Sequence, residues 1–296
     1  MRGIIIINAY PNGEKFIRQG ERIREELVKL GVETDVVRNG EVWAQITKKG
    51  EVVEEVGKKY DFCVYLDKDK YLGKLLEKGG LRLFNSATSI EVCDDKMLTY
   101  LALCGKGFPL VQTIAAPLCY TKEAKPKEVF LKNVGQTLGF PLVVKKSFGS
   151  FGEGVKLARD MSELRKIAEE FLYEPHFFQK YEGSSKGRDV RVIVVGGKAV
   201  AAMERVAKGD EFRSNIELGG EGKKIVLQEE QRALAERLAK ELSLDYCGVD
   251  LLQTDEGAKV CEVNSNAFFE GLEKTTGSNI AKAYAEHIVR TMKNNK

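Results

Sequence analysis

Residues 245–264 read DYCGVDLLQTDEGAKVCEVN, and this stretch decides the fold. Two apolar segments flank the Asp-Glu-Gly tripeptide at 255–257. Glycine is preferred at the third position of a three-residue hairpin loop, where the backbone is left-handed. The sequence therefore predicts an antiparallel hairpin in which Thr254 pairs with Ala258.

Three oxygen-bearing side chains fall on one face of this hairpin. The predicted register sets Asp250 opposite Glu262, and Asn264 lies two residues further along the same face. Opposed carboxylates repel, and a cation between them removes that cost. Two carboxylates and an amide suit Mg²⁺ shared with phosphates better than zinc. Two acids on a solvated sheet face are the alternative, and a four-residue loop would move Glu262 to the other face. The other face is expected to be apolar, with Val249 and Leu251 against Val263 and Cys261.

A glycine-rich segment precedes the hairpin, and residues 141–156 read PLVVKKSFGSFGEGVK. A buried strand is expected to end at Lys145 and Lys146, and glycines follow at 149, 152 and 154. Glycines let backbone N–H groups approach phosphate oxygens, and a lysine adds positive charge. The P-loop pattern GxxxxGK[ST] is absent. The segment is interpreted as a loop between antiparallel strands that covers a nucleotide, with an ordinary hairpin turn as the alternative.

A third polar group lies between these two segments. Arg213, Ser214 and Asn215 place a guanidinium, a hydroxyl and an amide side by side. A guanidinium can stabilise charge that develops on a phosphoryl or acyl-phosphate oxygen. A charged loop exposed to solvent is the alternative interpretation, and it is the commoner structure for a charged segment considered by itself.

Composition limits the classes of function. A chain of 296 residues is long enough for two or three domains, and its net charge of +3 is the small difference between 47 basic and 44 acidic side chains. No basic block supports nucleic-acid binding, and no apolar run reaches the length of a membrane span. The six cysteines lie singly, without zinc spacing. A cytoplasmic protein with reduced thiols is expected.

The remaining sequence indicates an α/β (α+β) protein of three units. About the first 95 residues alternate apolar strands with helical patterns, which predicts a parallel sheet with crossover helices. The turn at 10–13 lacks GxGxxG, so this unit is interpreted as scaffold and part of a substrate cleft. Asp94 or Asp95 is expected to cap a helix, and a small α+β unit follows it. A third unit is expected from near Phe177, with its first strand at 177–181.

These features together resemble the ATP-grasp superfamily and, within it, the RimK-type family (ribosomal protein modification, α-L-glutamate ligase). The matching motifs are FNS at 84–86, DDK at 94–96, PLVVK at 141–145, FQKYE at 178–182, GRDVRV at 187–192, AAMERVAKGDEFRSN at 201–215, CGVDLL at 247–252 and EVNSNAFFEGLEKTTG at 262–277. The resemblance implies an ATP-grasp fold in three domains. These are a Rossmann-like pre-ATP-grasp domain at 1–94, a small domain with the glycine-rich loop at 95–176, and a domain with the metal ligands at 177–296.

The resemblance also implies a role for individual residues. For ATP these are Lys96, Lys145, Gly149 and Gly152 at the phosphates, the hinge Gln179, Lys180 and Tyr181 at adenine, and Asp189 at ribose. Arg213, Ser214 and Asn215 would lie at the triphosphate, with Arg213 catalytic. Asp250, Glu262 and Asn264 would bind Mg²⁺ or Mn²⁺, usually two ions.

Two departures from the family pattern stand out. Lys180 replaces the acid expected in the hinge, which matters little where the backbone holds adenine. Asn266, Ala267 and Phe268 stand where Ser-Pro-Gly is usual. Because that segment lies near the acceptor in the family, the departure leaves substrate identity open and does not affect the ATP chemistry.

The implied reaction is amide formation through an acyl phosphate, in which glutamate or a related amino acid is added to the carboxylate of a protein, peptide or small molecule. A small-molecule or cofactor-biosynthesis ligase is the alternative, and a non-catalytic nucleotide binder is a third. His176 and His287 fall outside the motifs and are interpreted as structural. A homo-oligomer is implied by the resemblance. Asp250→Ala or Glu262→Ala is expected to abolish phosphate release and leave the fold intact.

Overall fold

The computed structural model describes residues 1–10, 13–216 and 219–294. The N-terminal part carries a four-stranded parallel sheet, as the sequence predicts, and its strand order is β2-β1-β5-β6. The strands are β1 (Arg2–Ile7), β2 (Glu33–Arg38), β3 (Ala44–Ile46), β4 (Val52–Glu54), β5 (Phe62–Leu66) and β6 (Arg82–Phe84), of which β3 and β4 form a separate hairpin. The helices are α1 (Glu14–Lys29), α2 (Lys70–Lys78) and α3 (Ala87–Asp94).

The central part is an antiparallel sheet with strand order β7-β10-β8-β9 and helices packed on it. Its elements are α4 (Lys96–Leu103), β7 (Thr113–Ala115), α5 (Glu128–Leu138), β8 (Leu142–Lys146), β9 (Val155–Ala158), α6 (Met161–Glu170) and β10 (His176–Lys180). Asp95 caps α4, because its carboxylate accepts hydrogen bonds from the backbone of the first helical turn. Between β8 and β9 lies the glycine loop, defined here as residues 149–154.

The C-terminal part is a five-stranded antiparallel sheet with strand order β13-β12-β11-β14-β15. Its elements are β11 (Arg188–Val195), β12 (Lys198–Val206), β13 (Glu221–Lys224), α7 (Glu229–Glu241), β14 (Tyr246–Thr254), β15 (Gly257–Asn264), α8 (Glu270–Thr276) and α9 (Ile280–Asn294). Among the described residues, no helix is both long and apolar enough to cross a membrane.

One strand lies in a different sheet from the one predicted. The strand expected at 177–181 in the third unit is β10, which pairs with β7 and β8 of the central sheet. The assignment to the third unit is therefore wrong. The local apolar pattern predicts the strand but not its partner, since pairing depends on tertiary contacts. The domain limits 1–94, 95–176 and 177–296 stay predictions.

The β14–β15 hairpin contains the predicted pair of Asp250 and Glu262, but its turn differs from the predicted one. Thr254 pairs with Gly257, not with Ala258, so the predicted three-residue loop is wrong. A β-bulge then shifts the register between Asp250 and Leu251, and Asp250 pairs with Glu262 as predicted. The bulge leaves Cys261 as the extra residue, and Cys261 faces the cleft instead of the apolar face that the sequence analysis gave it.

The N-terminal and C-terminal parts share one hydrophobic core. Ile5, Phe62 and Phe84 pack in the same cluster as Tyr246 and Tyr284 of the C-terminal part. The central sheet with α5 and α6 has its own cluster, formed by residues between 114 and 178, whereas Leu103 of α4 packs in a cluster of the C-terminal part. The N-terminal and C-terminal parts are therefore firmly joined. The glycine loop crosses the cleft between the central part and these two parts.

Candidate functional site

Two cavities meet in the cleft between the three parts. The first lies between the central and C-terminal sheets and brings together all but one of the residues that the sequence analysis assigned to the site. These are Lys96, Lys145, Gly149, Gly152, Gln179, Lys180, Tyr181, Asp189, Arg213, Ser214, Asn215, Asp250 and Glu262. Asn264 lines the second cavity, which the N-terminal part closes on the other side. Their individual roles stay predictions.

Two lysines face the hairpin from the central part. The Lys96 ammonium donates a hydrogen bond to the Gly149 carbonyl over 2.7 Å and lies 3.6 Å from a Glu262 carboxylate oxygen. The Lys145 ammonium lies 3.9 Å from the Cys261 sulfur. Burial raises the pKa of the Cys261 thiol to about 11, so the thiol is neutral at pH 7. Both lysines therefore bring positive charge to the first cavity, beside the loop.

The glycine loop takes a conformation that needs glycine. Gly149, Gly152 and Gly154 all have positive φ, a region that favours glycine because it has no Cβ. A Cβ on Gly154 would meet the Lys146 side chain at 2.7 Å. The loop backbone can therefore approach a ligand closely, which is the property needed to hold phosphate oxygens.

Arg213 reaches this loop from the C-terminal part. One of its terminal nitrogens donates to the Gly152 carbonyl over 3.0 Å, and its other donors form a fork on the Glu211 carboxylate. The hydrogen bonds and charge of Arg213 lower the pKa of Glu211 to about 2. Glu211 thus holds the guanidinium in place at the edge of the first cavity.

Gln179, Lys180 and Tyr181 form the hinge that borders the first cavity. The Gln179 amide donates to the Thr113 hydroxyl over 2.9 Å, and the Lys180 side chain is exposed. The Tyr181 ring packs edge-on against Phe212. Since the side chain of Gln179 is occupied, recognition of a base at this hinge would fall to backbone groups, which agrees with the expected small effect of Lys180.

Asp250 lies in a buried network of charges that the sequence analysis did not foresee. Arg191 donates a hydrogen bond to each oxygen of the Asp250 carboxylate at 2.7 Å. Arg205 forms an ion pair with Asp250 at 2.9 Å and a second ion pair with Asp189. Burial alone would raise the pKa of Asp250, but the charges of Arg191 and Arg205 outweigh it and hold that pKa below the ordinary value. The repulsion expected between Asp250 and Glu262 is therefore relieved by protein cations.

The donor set can still accommodate a magnesium ion. A carboxylate offers about four acceptor positions. Arginines use three of those of Asp250, so one remains. Glu262 contacts Lys96 at 3.6 Å, and the buried Asn264 amide nitrogen has no hydrogen-bond partner in the part of the chain that the structure describes. No group of three or more His, Cys, Asp or Glu residues suited to a metal occurs within residues 1–10, 13–216 and 219–294. The amide oxygen of Asn264 is a third oxygen that a magnesium ion could use.

This network changes one expectation. Asp250→Ala would leave Arg191 and Arg205 buried without their shared carboxylate, so the variant cannot be expected to keep the fold intact. Glu262 is partly exposed, and its ion-pair contact with Lys96 is long at 3.6 Å, so the expectation stands for Glu262→Ala.

The second cavity is lined by both polar and aromatic side chains. Its polar side chains include Asn8, Asp67, Lys68 and Arg191, and its aromatic ones are Phe16, Phe151 and Phe268. Residues 266–268 are the segment that differs from the family pattern, and within it the Asn266 amide donates to the Asp67 carbonyl over 3.0 Å. The two cavities share Ser150, Phe151, Asn215 and Glu262, so they meet beside the hairpin.

Several residues of the cleft were missed in the sequence. Alternation along β11 puts Arg191 on the same face as Asp189, which is a signal that could have found it. Arg205 could not be found in this way, because its pairing with Asp189 depends on the β11–β12 register. His176 and His287 lie outside both cavities, where His176 contacts the Glu174 carbonyl and His287 contacts Asp245.

A parallel N-terminal sheet beside two antiparallel sheets that face each other across a glycine loop defines the ATP-grasp class of fold. Residues 94–288 match the family model described as RimK-like ATP-grasp domain. The chain belongs to this family.

Proteins similar to the chain include two of similar sequence and one solved structure of similar fold. The chain is 35% identical over 272 residues to the human protein named Beta-citrylglutamate synthase B, covering 90% of this chain and 63% of that one. It is 33% identical over 288 residues to a Probable alpha-L-glutamate ligase of Shewanella loihica, covering 93% and 92%. A RimK domain ATP-grasp protein from Sphaerobacter thermophilus superposes with a TM-score of 0.73 at 18% identity, covering 97% and 99%. The chain thus spans less than two thirds of the human relative's length.

Proposed function

We propose that this protein is an ATP-dependent carboxylate–amine ligase that joins glutamate, or a related amino acid, to a carboxylate through an acyl phosphate. The observation that carries the proposal is the meeting of the two cavities at Glu262 and Asn215. ATP in the first cavity and an acceptor carboxylate in the second would present the γ-phosphate to the carboxylate at this junction. A protein that only binds nucleotide needs the first cavity alone.

In this proposal the chain's own residues bind and orient the triphosphate. Lys96, Lys145 and the backbone of the glycine loop would hold the phosphates, because they supply positive charge and N–H donors. The acceptor carboxylate attacks the γ-phosphate and ADP leaves. The amine then attacks the acyl carbon, and phosphate leaves. Arg213, which Glu211 keeps in place, would stabilise the negative oxygen of the tetrahedral intermediate.

Glu262, Asn264 and the remaining position on Asp250 would hold magnesium. The bound ion would neutralise charge on the transferring phosphates. Lys96 lies 3.6 Å from Glu262, so the Glu262 carboxylate would contact both this lysine and the magnesium ion. Two ions are proposed on the strength of the family resemblance.

The substrate is proposed from the names of relatives and from the second cavity. One relative is named for a glutamate conjugate of citrate, and another as a glutamate ligase. Both names contain glutamate, which we propose as the amine donor. For the acceptor we propose a small or chain-terminal carboxylate, since the cavity is bounded by the N-terminal part. We further propose a cytoplasmic protein, which could assemble from several copies of the chain.

The test is product analysis. The protein is incubated with ATP, Mg²⁺ and glutamate, together with citrate or a peptide that ends in glutamate, and the products are weighed by mass spectrometry. We expect an acceptor heavier by one glutamyl unit, with ADP and phosphate in equal amounts.

Glu262→Gln should abolish product, and Glu256→Gln is the matched control. Glu256 lies in the turn of the same hairpin and its side chain is exposed, so this variant should keep full activity. Product formation by Glu262→Gln at the wild-type rate would contradict the metal assignment. ATP binding without ADP release, for any acceptor, would indicate a nucleotide-binding protein instead.

A further inference from the structure

Three aromatic rings from the three parts of the molecule meet at one wall of the second cavity. Phe16 comes from α1, Phe151 from the glycine loop and Phe268 from the segment after β15. The Phe16 and Phe268 ring centroids are 5.1 Å apart, edge to face, and Phe151 stacks on Phe268 at 6.0 Å. The Lys15 ammonium lies 3.7 Å from the centroid of the Phe151 ring. We call these three rings and Lys15 the aromatic wall.

The backbone at Phe151 indicates that its ring contact matters. Phe151 has φ of +60°, a region that disfavours residues with a side chain. Its neighbour Gly152 takes a similar φ of +78° without that cost. A glycine at 151 would fit the same backbone more easily, so the contacts of the ring on Phe268 and under Lys15 offset the strain.

The position of the wall connects the two cavities. Phe151 lines both cavities, whereas Phe16 and Phe268 line only the second. The loop that borders the first cavity therefore also supplies part of the wall of the second. Phe268 belongs to the segment, residues 266–268, that departs from the family pattern.

We propose that Phe151 and Phe268 are positioning residues that let the loop, when it closes over ATP, complete the acceptor cavity and exclude water from the acyl phosphate. This inference rests on the proposed ligase function. Neither ring touches the reacting atoms in the proposal. Their contact keeps the loop in the closed position.

Loss of the contact has a defined chemical consequence. Water that enters attacks the acyl carbon, the bond from that carbon to the phosphate oxygen breaks, and phosphate leaves. The acceptor carboxylate is regenerated, so the net reaction is hydrolysis of ATP to ADP and phosphate. The ratio of ADP to amide measures this leak, and a purely structural role for the rings would not change it.

The experiment compares Phe151→Ala and Phe268→Ala with Phe148→Ala. Phe148 is a matched control because it lies beside the loop, is 46% exposed and lines neither cavity. We expect the two wall variants to raise the KM for the acceptor about two- to tenfold, the factor that one aromatic pair supplies. They should also raise the ratio of ADP to amide, and the KM for ATP should change less. Phe268→Tyr should restore both.

Phe151→Gly separates the ring from the backbone. It removes the ring and relieves the strain at φ of +60°. If the ring holds the loop, the ratio of ADP to amide should rise as much in Phe151→Gly as in Phe151→Ala. A wild-type product ratio in Phe151→Gly, or the same ratio in the wall variants and in Phe148→Ala, would overturn the proposal.

Hydrogen exchange of the loop, measured without any substrate, makes the test independent of the ligase assignment. Peptides that cover residues 147–154 should exchange faster in Phe268→Ala than in the wild type, and Phe148→Ala should leave that rate unchanged outside its own position. If the wild type forms no amide with any acceptor, the proposed function fails while the exchange data still decide whether the ring contact holds the loop. Equal exchange in wild type and Phe268→Ala would refute the contact itself.

Discussion

At the scale of single residues, the two carboxylates assigned to one metal site have different surroundings. Asp250 is 3% exposed and shared by two arginines, whereas the Glu262 side chain is 26% exposed with a lysine 3.6 Å away. Removing one member of a buried ion pair leaves its partner unpaired at a cost of several kcal/mol. The two positions should therefore respond differently to the same substitution.

We expect Asp250→Ala to lower the free energy of unfolding by about 3–5 kcal/mol, because Arg191 and Arg205 lose their common partner. Glu262→Ala should lower it by less than about 1 kcal/mol, because the ion pair with Lys96 is long at 3.6 Å and Lys96 keeps its hydrogen bond to the Gly149 carbonyl. Urea unfolding followed by circular dichroism measures both. Equal losses in the two variants would mean that the arginine network does not depend on Asp250.

The contact between Glu211 and Arg213 predicts a dependence of stability on pH. The pKa of Glu211 is about 2 in the fold, against 4.5 as its ordinary value. A carboxyl with a lowered pKa stabilises the fold above the unfolded pKa, and that contribution is lost as the pH falls from about 4.5 towards 2. Because Glu211 is partly exposed, we expect about 1 kcal/mol rather than the full value of the shift.

Glu211→Gln should therefore melt at a lower temperature than the wild type at pH 6.5. The difference in Tm should shrink steadily below pH 4.5. Asp210→Asn is the matched control, since Asp210 is the preceding residue and is fully exposed. A difference that stays constant down to pH 2.5 would show that the carboxylate charge of Glu211 has no part in holding Arg213.

At the scale of elements, the hairpin shows how far sequence can predict this site. Either a three-residue loop or a two-residue turn with one bulge sets Asp250 opposite Glu262. The first is what the glycine at 257 suggests, and the second is what the chain forms. Each adds one residue relative to a two-residue turn without a bulge, in the loop in the first case and in the second strand in the other, so the pairing is correct although the loop is wrong. The same ambiguity put Cys261 on the wrong face.

The parallel sheet of the N-terminal part and its crossover helices α1 and α2 followed from periodicity, because each buries a clear apolar face. The hairpin of β3 and β4 and the helix α3 were not predicted. The partner of β10 did not follow, since a short apolar strand pairs equally well in either neighbouring sheet. Among the site residues, sequence and resemblance put Lys96, Lys145 and Arg213 at the cleft. The partners of Asp250 depend on which strands lie side by side, and no local pattern contains that information.

At the scale of the whole molecule, Asn85 connects the N-terminal and C-terminal parts. Its side chain is 1% exposed and makes four hydrogen bonds to backbone groups of the C-terminal part. Both parts also share one apolar cluster, whereas the central sheet with α5 and α6 has a cluster of its own, and Leu103 of α4 packs with the C-terminal part. The N-terminal and C-terminal parts should therefore unfold as one unit, and the central sheet with α5 and α6 should be able to open separately.

Asn85→Ala tests this division, because it leaves buried backbone groups without partners. We expect it to destabilise the joined unit by about 3 kcal/mol. Hydrogen exchange at low urea concentration should become faster in β1, β5, β14 and α9 together, and the rate in β8 and β10 should not change. Asn133→Ala, at an exposed position of α5, is the control and should alter none of these rates. Faster exchange in the N-terminal sheet alone would mean that the two parts unfold independently. A uniform increase over all three parts would mean that the chain is a single cooperative unit, and the cleft would then open only by rigid rotation of intact domains.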